Sequence, residues 1–363
     1  MRRKLTIMLV TAAVLVLIVA TAASSMLPTY DNTLKAEERI YDRMGKAELL
    51  ETMKTKFKEE SDTESLIPIT SIFHQRRDEY TGDELLALIE DNSLSPLLRV
   101  TFIQVLDDLS SFSRRDGRIA KLLEKDIPND VKSSIIAHFG GEGGLGTDEL
   151  VKQAYNEDRY ISYQAIRRLG RANTEIACKV SRDILQNYKT SNVGQVKAAL
   201  GVISGAHDPK LKMTEADIKL MYTVADYILH NDRLAEAKNT VVFSLRRTNT
   251  IEALEYIMHH EKIDNEILRK GTVIENWHVL VKALKNDPTE EEIALALECM
   301  ELRPLTEVIE SLEDAIESNP QLISANGKLT QKKVSDILEY AKKNAESITV
   351  LPDLAAKGGL IDE

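Results

Sequence analysis

The stretch PNDVKSSIIAHFG, residues 128–140, places Val131, Ile135 and Phe139 at positions i, i+4 and i+8. At 3.6 residues per helical turn, such spacing draws an apolar stripe down one side of a helix. The same columns recur in three other places. SPLLRVTFIQVLDDL (95–109) carries Leu98, Phe102 and Leu106, RYISYQAIRRLG (159–170) carries Ile161, Ala165 and Leu169, and GQVKAALGVISG (194–205) carries Val196, Leu200 and Ser204. The first-column residues 98, 131, 161 and 196 lie 33, 30 and 35 apart. A period of this size marks a helical repeat, in which one unit cannot bury its own stripe and must share it with the next.

A second column follows nine residues after Val131, Ile161 and Val196, where Gly140, Gly170 and Gly205 stand. A glycine there is expected to end its helix with a positive φ. The Leu98 unit departs, with Asp107 at that place. Arg99, Lys132 and Lys197 follow the first column in three units, and Ser162 in the fourth. Ser95 is suited to the N-cap and Pro96 to the first turn of the helix that they open. Companion first helices read TGDELLALIEDN (81–92), DGRIAKLLEKD (116–126) and TDELVKQAYNED (147–158), and Thr81 with Glu84 spells a capping box. With these residues in view, the chain resembles the HEAT-like α-helical repeat family. The likeness is good over 81–205 and degenerate to about 300, through TEADIKLMYTVADYILHN, LAEAKNTVVFSLRRTN and TIEALEYIMHHEK. It implies an all-α fold: an α-solenoid of stacked antiparallel helix pairs with a long curved surface.

Composition agrees with helices. Hydrophobic residues at 43% and charged residues at 29% describe a folded chain, and 16 Gly with 9 Pro are few for a sandwich or barrel. The net charge of −11 opposes general binding of a phosphate backbone, so no nucleic-acid partner is expected. Five arginine pairs, Arg2-Arg3, Arg76-Arg77, Arg114-Arg115, Arg167-Arg168 and Arg246-Arg247, read as solvated helix ends.

The first residues, MRRKLTIMLVTAAVLVLIVATAASS, join three cations to nineteen uncharged residues from Leu5 to Ala23. As a helix that run measures about 28 Å, enough to cross a bilayer. Two readings stand, an uncleaved anchor and a signal peptide cut after the small-x-small Ala20-Thr21-Ala22. Both leave Arg2, Arg3 and Lys4 in the cytoplasm and export the rest. The expected organisation is 1–25 anchor or signal helix, 26–65 polar helical spacer, 66–345 solenoid and 346–363 loosely ordered tail.

Candidate chemistry is sparse. GEGGLG (141–146) has dinucleotide-loop spacing, but a helix precedes it and no P-loop lysine follows, so it reads as a turn. His259-His260-Glu261 is the one histidine cluster, and adjacent helical positions diverge by about 100°, unlike the i, i+4 pair of a zinc helix. His138 reads as a packed histidine and Trp277 as core. Cys178 and Cys299 read as small buried residues, with a pairing left open by an oxidising compartment. No catalytic, cofactor-binding or metal-ligating residue is assigned, and no cofactor is expected. The expectation is an exported, membrane-anchored scaffold that binds another protein. The alternative is an exported carbohydrate-active or envelope-modifying enzyme using groove carboxylates.

Overall fold

A computed structural model describes residues 32–59, 63–114, 116–141, 143–205, 213–263, 265–323 and 329–345. The anchor or signal at 5–23 and the tail at 346–363 lie outside the described residues. Among the described residues there are eighteen α-helices and no strands, so the chain is all-α. None of these helices is long and apolar enough to cross a membrane. They fall into two compact units, one up to Ile176 and one from Ala177.

The first unit holds α1 (Asn32–Asp42), α2 (Lys46–Glu59), α3 (Ile67–Gln75), α4 (Gly82–Glu90), α5 (Pro96–Asp108), α6 (Gly117–Glu124), α7 (Asn129–Phe139), α8 (Thr147–Ala154) and α9 (Arg159–Ala172). Its spine is α5 against α7 and α7 against α9, and α4, α6 and α8 each pack on the helix that follows them. The repeat columns supply this contact: Leu98, Phe102, Leu106, Val131, Ile135, Phe139, Ile161, Ala165 and Leu169 are all buried. The two helical pieces of the 26–65 segment also join the unit. α1 packs on α3, α2 packs on α3 and α5, and Tyr41, Leu49, Met53 and Phe57 are buried.

α10 (Thr174–Gln186) runs across the boundary. The second unit continues with α11 (Val193–Ile203), α12 (Glu215–Leu229), α13 (Lys238–Arg246), α14 (Ile251–His259), α15 (Glu266–Leu284), α16 (Glu290–Leu302), α17 (Thr306–Ser318) and α18 (Gln331–Asn344). Here α11, α13, α15 and α17 form a second spine of successive contacts, and α16 packs on α18. Leu254, Val273, Ile293, Met300, Leu312 and Ile337 share one core. The segment LAEAKNTVVFSLRRTN is divided. Asp232–Ala237 is a 3₁₀ turn, and its Arg233 guanidinium donates to the carbonyl oxygens of Tyr188, Lys189 and Ser191. The α-helix starts only at Lys238.

The helix starts follow the capping chemistry. Thr81 accepts from the Glu84 amide while Glu84 accepts from the Thr81 amide, and Thr289 with Glu292, Asn192 with Gln195 and Thr214 with Asp217 repeat the device. Each such cap is worth about 1 kcal/mol. In the last of them Asp217 is buried and also receives the Arg182 guanidinium at 2.7 and 3.0 Å. Burial pushes its carboxyl up, but the hydrogen bonds from Arg182 and Thr214 outweigh that and hold it below the usual carboxylate range.

The glycine column is corrected by the structure. Gly205 has φ +72°, as expected, but Gly140 has φ −70° and Gly170 lies inside α9, which runs on to Ala172. Gly140 is required for space instead: a Cβ there would stand 2.4 Å from the Ile136 carbonyl oxygen and 2.9 Å from the Cβ of Arg168. Gly140→Ala is therefore expected to cost about 1–3 kcal/mol of unfolding free energy, the range of overpacking. Gly117→Ala is the control, because nothing lies within 4 Å of its Cβ position and its φ is ordinary. It should leave stability unchanged or raise it by up to about 1 kcal/mol in urea denaturation.

Candidate functional site

The described residues of GEGGLG, all but Glu142, lie in the turn between α7 and α8. Gly141 and Gly143 take φ of +113° and +79°, conformations that side chains rarely adopt. The Leu145 amide donates to the Phe139 carbonyl at 2.7 Å and the Gly144 amide to Gly141 at 3.1 Å. Those two amides are spent inside the turn, the opposite of a phosphate loop, whose amides face the ligand.

What the turn does is seat an arginine. Arg168 on α9 crosses directly over Gly140, and Arg167 and Arg171 share its helix. Arg114 comes from the loop after α5 and meets Asp107 at 3.0 Å, donates to the His138 carbonyl and lies over the Phe139 ring at 5.7 Å. Burial lowers the pKa of Arg168, and Arg171, Arg167 and Arg114 lower it further, with Asp107 opposing. Two of the arginine pairs read as separate solvated helix ends thus contribute to one basic cluster, in a chain whose net charge is −11. Arg168 is partly buried within the cluster, and Arg114 and Arg171 are exposed.

The end of α5 organises the cluster. Asp107 takes His138 of α7 at 3.2 Å, and Asp108 takes His74 of α3 at 3.6 Å. Two successive carboxylates on one helix end thus reach histidines on two different helices, α7 and α3. His138 is the packed histidine expected, with a carboxylate partner that its sequence neighbourhood does not show.

In the second unit the HHE cluster separates as helical geometry requires. His259 turns to Glu298 at 2.6 Å, while His260 turns to His230 and Asp226. Asp226, His230 and His260 bring one donor atom each within 4.8 Å of one another, a grouping able to hold a metal ion. Trp277 is partly buried against the shared core of this unit. Cys178 and Cys299 are buried and form no disulfide, and burial raises the pKa of Cys299 well above its usual value, so that thiol is not set up as a nucleophile. A cleft of about 320 Å³ is lined by Met258, Arg269, Glu298, Glu301 and Leu302. It holds two carboxylates and no aromatic platform for a sugar.

No protein-family model matches the chain, and no curated protein matches it.

The His74 contact makes a pH prediction. Burial lowers the pKa of His74 below its ordinary 6.5, outweighing Asp108. The unfolded chain then binds the proton more readily than the folded one, so the contribution is complete above pH 6.5 and is lost as pH falls toward the folded value. Urea unfolding followed from pH 8 down to pH 5 should show stability falling below about pH 6.5, and His74→Gln should flatten that slope.

Proposed function

We propose that the chain is an exported, membrane-anchored scaffold that binds another protein and carries out no catalysis. In this reading residues 5–23 form an anchor or a cleaved signal, the N-terminus is cytoplasmic, and the body is a HEAT-like solenoid of stacked antiparallel helix pairs on the outer side. The observation that carries the reading is the contact pattern. In each unit the substantial helix contacts join one helix to the next or the next but one, with α2 on α5 the one longer step. Nearest-neighbour burial of this kind is how repeat proteins build extended binding surfaces.

The arginine cluster supports a place on that surface for the partner. Arg114, Arg168 and Arg171 concentrate positive charge against an acidic background, which favours an acidic segment of a protein.

A photo-crosslinking residue at position 171, compared with one at exposed Tyr340, tests this in intact cells. One discrete protein adduct at position 171 is expected. Arg114→Glu is expected to weaken binding of the identified partner roughly fivefold and to reduce its salt dependence. Absence of an adduct at either position, together with substrate turnover by the purified chain, would replace the scaffold reading with an enzymatic one. A body shielded from protease added to osmotically opened cells, but digested once the cytoplasm is released, would overturn export.

A further inference from the structure

The geometry points to a divalent transition-metal site, suited to Zn²⁺, formed by Asp226, His230 and His260 with Glu261 at its edge, which clips the end of α12 to the end of α14. The inference needs only these two helix ends and does not rest on the scaffold reading.

His230 is the residue that caps α12 and His260 the residue that caps α14, 30 positions later. Both stand at helix C-termini, where the partial negative charge of the last carbonyls favours a cation. Their rings lie 5.4 Å apart between centroids. Asp226, one turn before His230, places Oδ1 3.9 Å from His260 Nε2 and 3.8 Å from His230 Nδ1, the nitrogen of that ring that does not ligate. Glu261 Oε1 is 3.6 Å from His230 Nε2. Donors on a tetrahedral zinc with bonds of about 2.0–2.1 Å sit roughly 3.3 Å from one another, so the set, whose donor atoms lie within 4.8 Å of one another, must close by up to about 1.5 Å. Asp226 and Glu261 are largely exposed and have the freedom to do so.

The proton positions suit one ring and cost something at the other. His230 Nδ1 lies 2.8 Å from the Asp226 carbonyl oxygen and donates to it, which leaves the Nε2 lone pair facing Glu261. Orientation of a ligating histidine by a backbone carbonyl is the usual outer-shell support of a metal site. His260 Nδ1 accepts the Lys262 amide at 3.1 Å, so its neutral form carries the proton on Nε2. Coordination through that nitrogen moves the proton to Nδ1 and breaks the Lys262 bond, with no net change in protons. This cost weakens the site relative to one in which both rings already hold the ligating tautomer.

Charge and surroundings favour a dication. Two carboxylates face two imidazoles, with Lys262 3.7 Å from Glu261 as the nearby cation. The Tyr256 ring packs 4.9 Å from His260, and its buried hydroxyl has no hydrogen-bond partner among the described residues. That hydroxyl is within electrostatic reach of Asp226 and is available as a donor to an occupied site. A set of two imidazoles and two carboxylates selects zinc, cobalt, nickel or copper over calcium and magnesium, which take oxygen ligands in larger number.

The test is calorimetric titration of ZnCl₂ into the purified full chain, stripped with chelator, alongside thermal unfolding with and without the ion. Saturable 1:1 binding and a raised Tm are expected, with His230→Gln and His260→Gln each weakening binding at least about tenfold. His259→Gln, which removes the neighbour facing Glu298, should change nothing. Asp226→Asn, at an exposed position, should also weaken binding and serves if a histidine variant does not fold. Co²⁺ should give the intense visible absorption of a tetrahedral site, and Mg²⁺ should not raise the Tm. No saturable binding at about 100 µM Zn²⁺, or binding that survives both His230→Gln and Asp226→Asn, would overturn the assignment.

Discussion

Val131, Ile135 and Phe139 are kept from water because α7 lies between α5 and α9, each of which turns its own column toward it. Everything else in the first unit is arranged around this mutual shielding. A helix of eleven residues is marginal alone. Its stability comes from the apolar area it covers, at roughly 25 cal/mol per Å², and none of that area can be covered without its neighbours. The same dependence runs through α11, α13, α15 and α17 in the second unit.

Packing of that kind aligns helix ends as a by-product, and the chemistry of the molecule gathers there. Asp107 and Asp108 close α5 and reach histidines of α7 and α3. His230 and His260 close α12 and α14 and meet over Asp226. Gly140 closes α7 and leaves room for Arg168 of α9. In each case the interacting groups are roughly 30 positions apart in sequence and adjacent in space. The packing of helices on near neighbours is therefore what assembles the clusters, whatever use is made of them.

That geometry explains which features a reader of the sequence could find. Columns within one helix were legible because they depend only on the 3.6-residue period, and Ser95, Thr81 and Glu84 announced their caps through local hydrogen bonding. The arginine cluster was not legible. Arg114 and Arg168 are 54 positions apart, and their meeting depends on how α5, α7 and α9 are offset along their axes. The Asp226, His230 and His260 grouping was hidden for the same reason, since the visible HHE triplet belongs to two different faces. Gly140 misled in another way. A glycine after an apolar column signals a left-handed cap, yet the constraint at this one is space against the Ile136 carbonyl and the Arg168 stem. The division between Ile176 and Ala177 falls within the helical residues of α10, where no proline or glycine marks it.

Native-state hydrogen exchange on the wild type and Ile135→Ala tests the nearest-neighbour account most directly. Truncating Ile135 removes buried contact worth about 2–5 kcal/mol from the middle of the first spine. The account predicts a graded result: protection falls most in α7, next in α5 and α9, and little in α14 to α17. An equal loss of protection in every described helix would mean that the chain opens as one cooperative globule, and the account would be wrong.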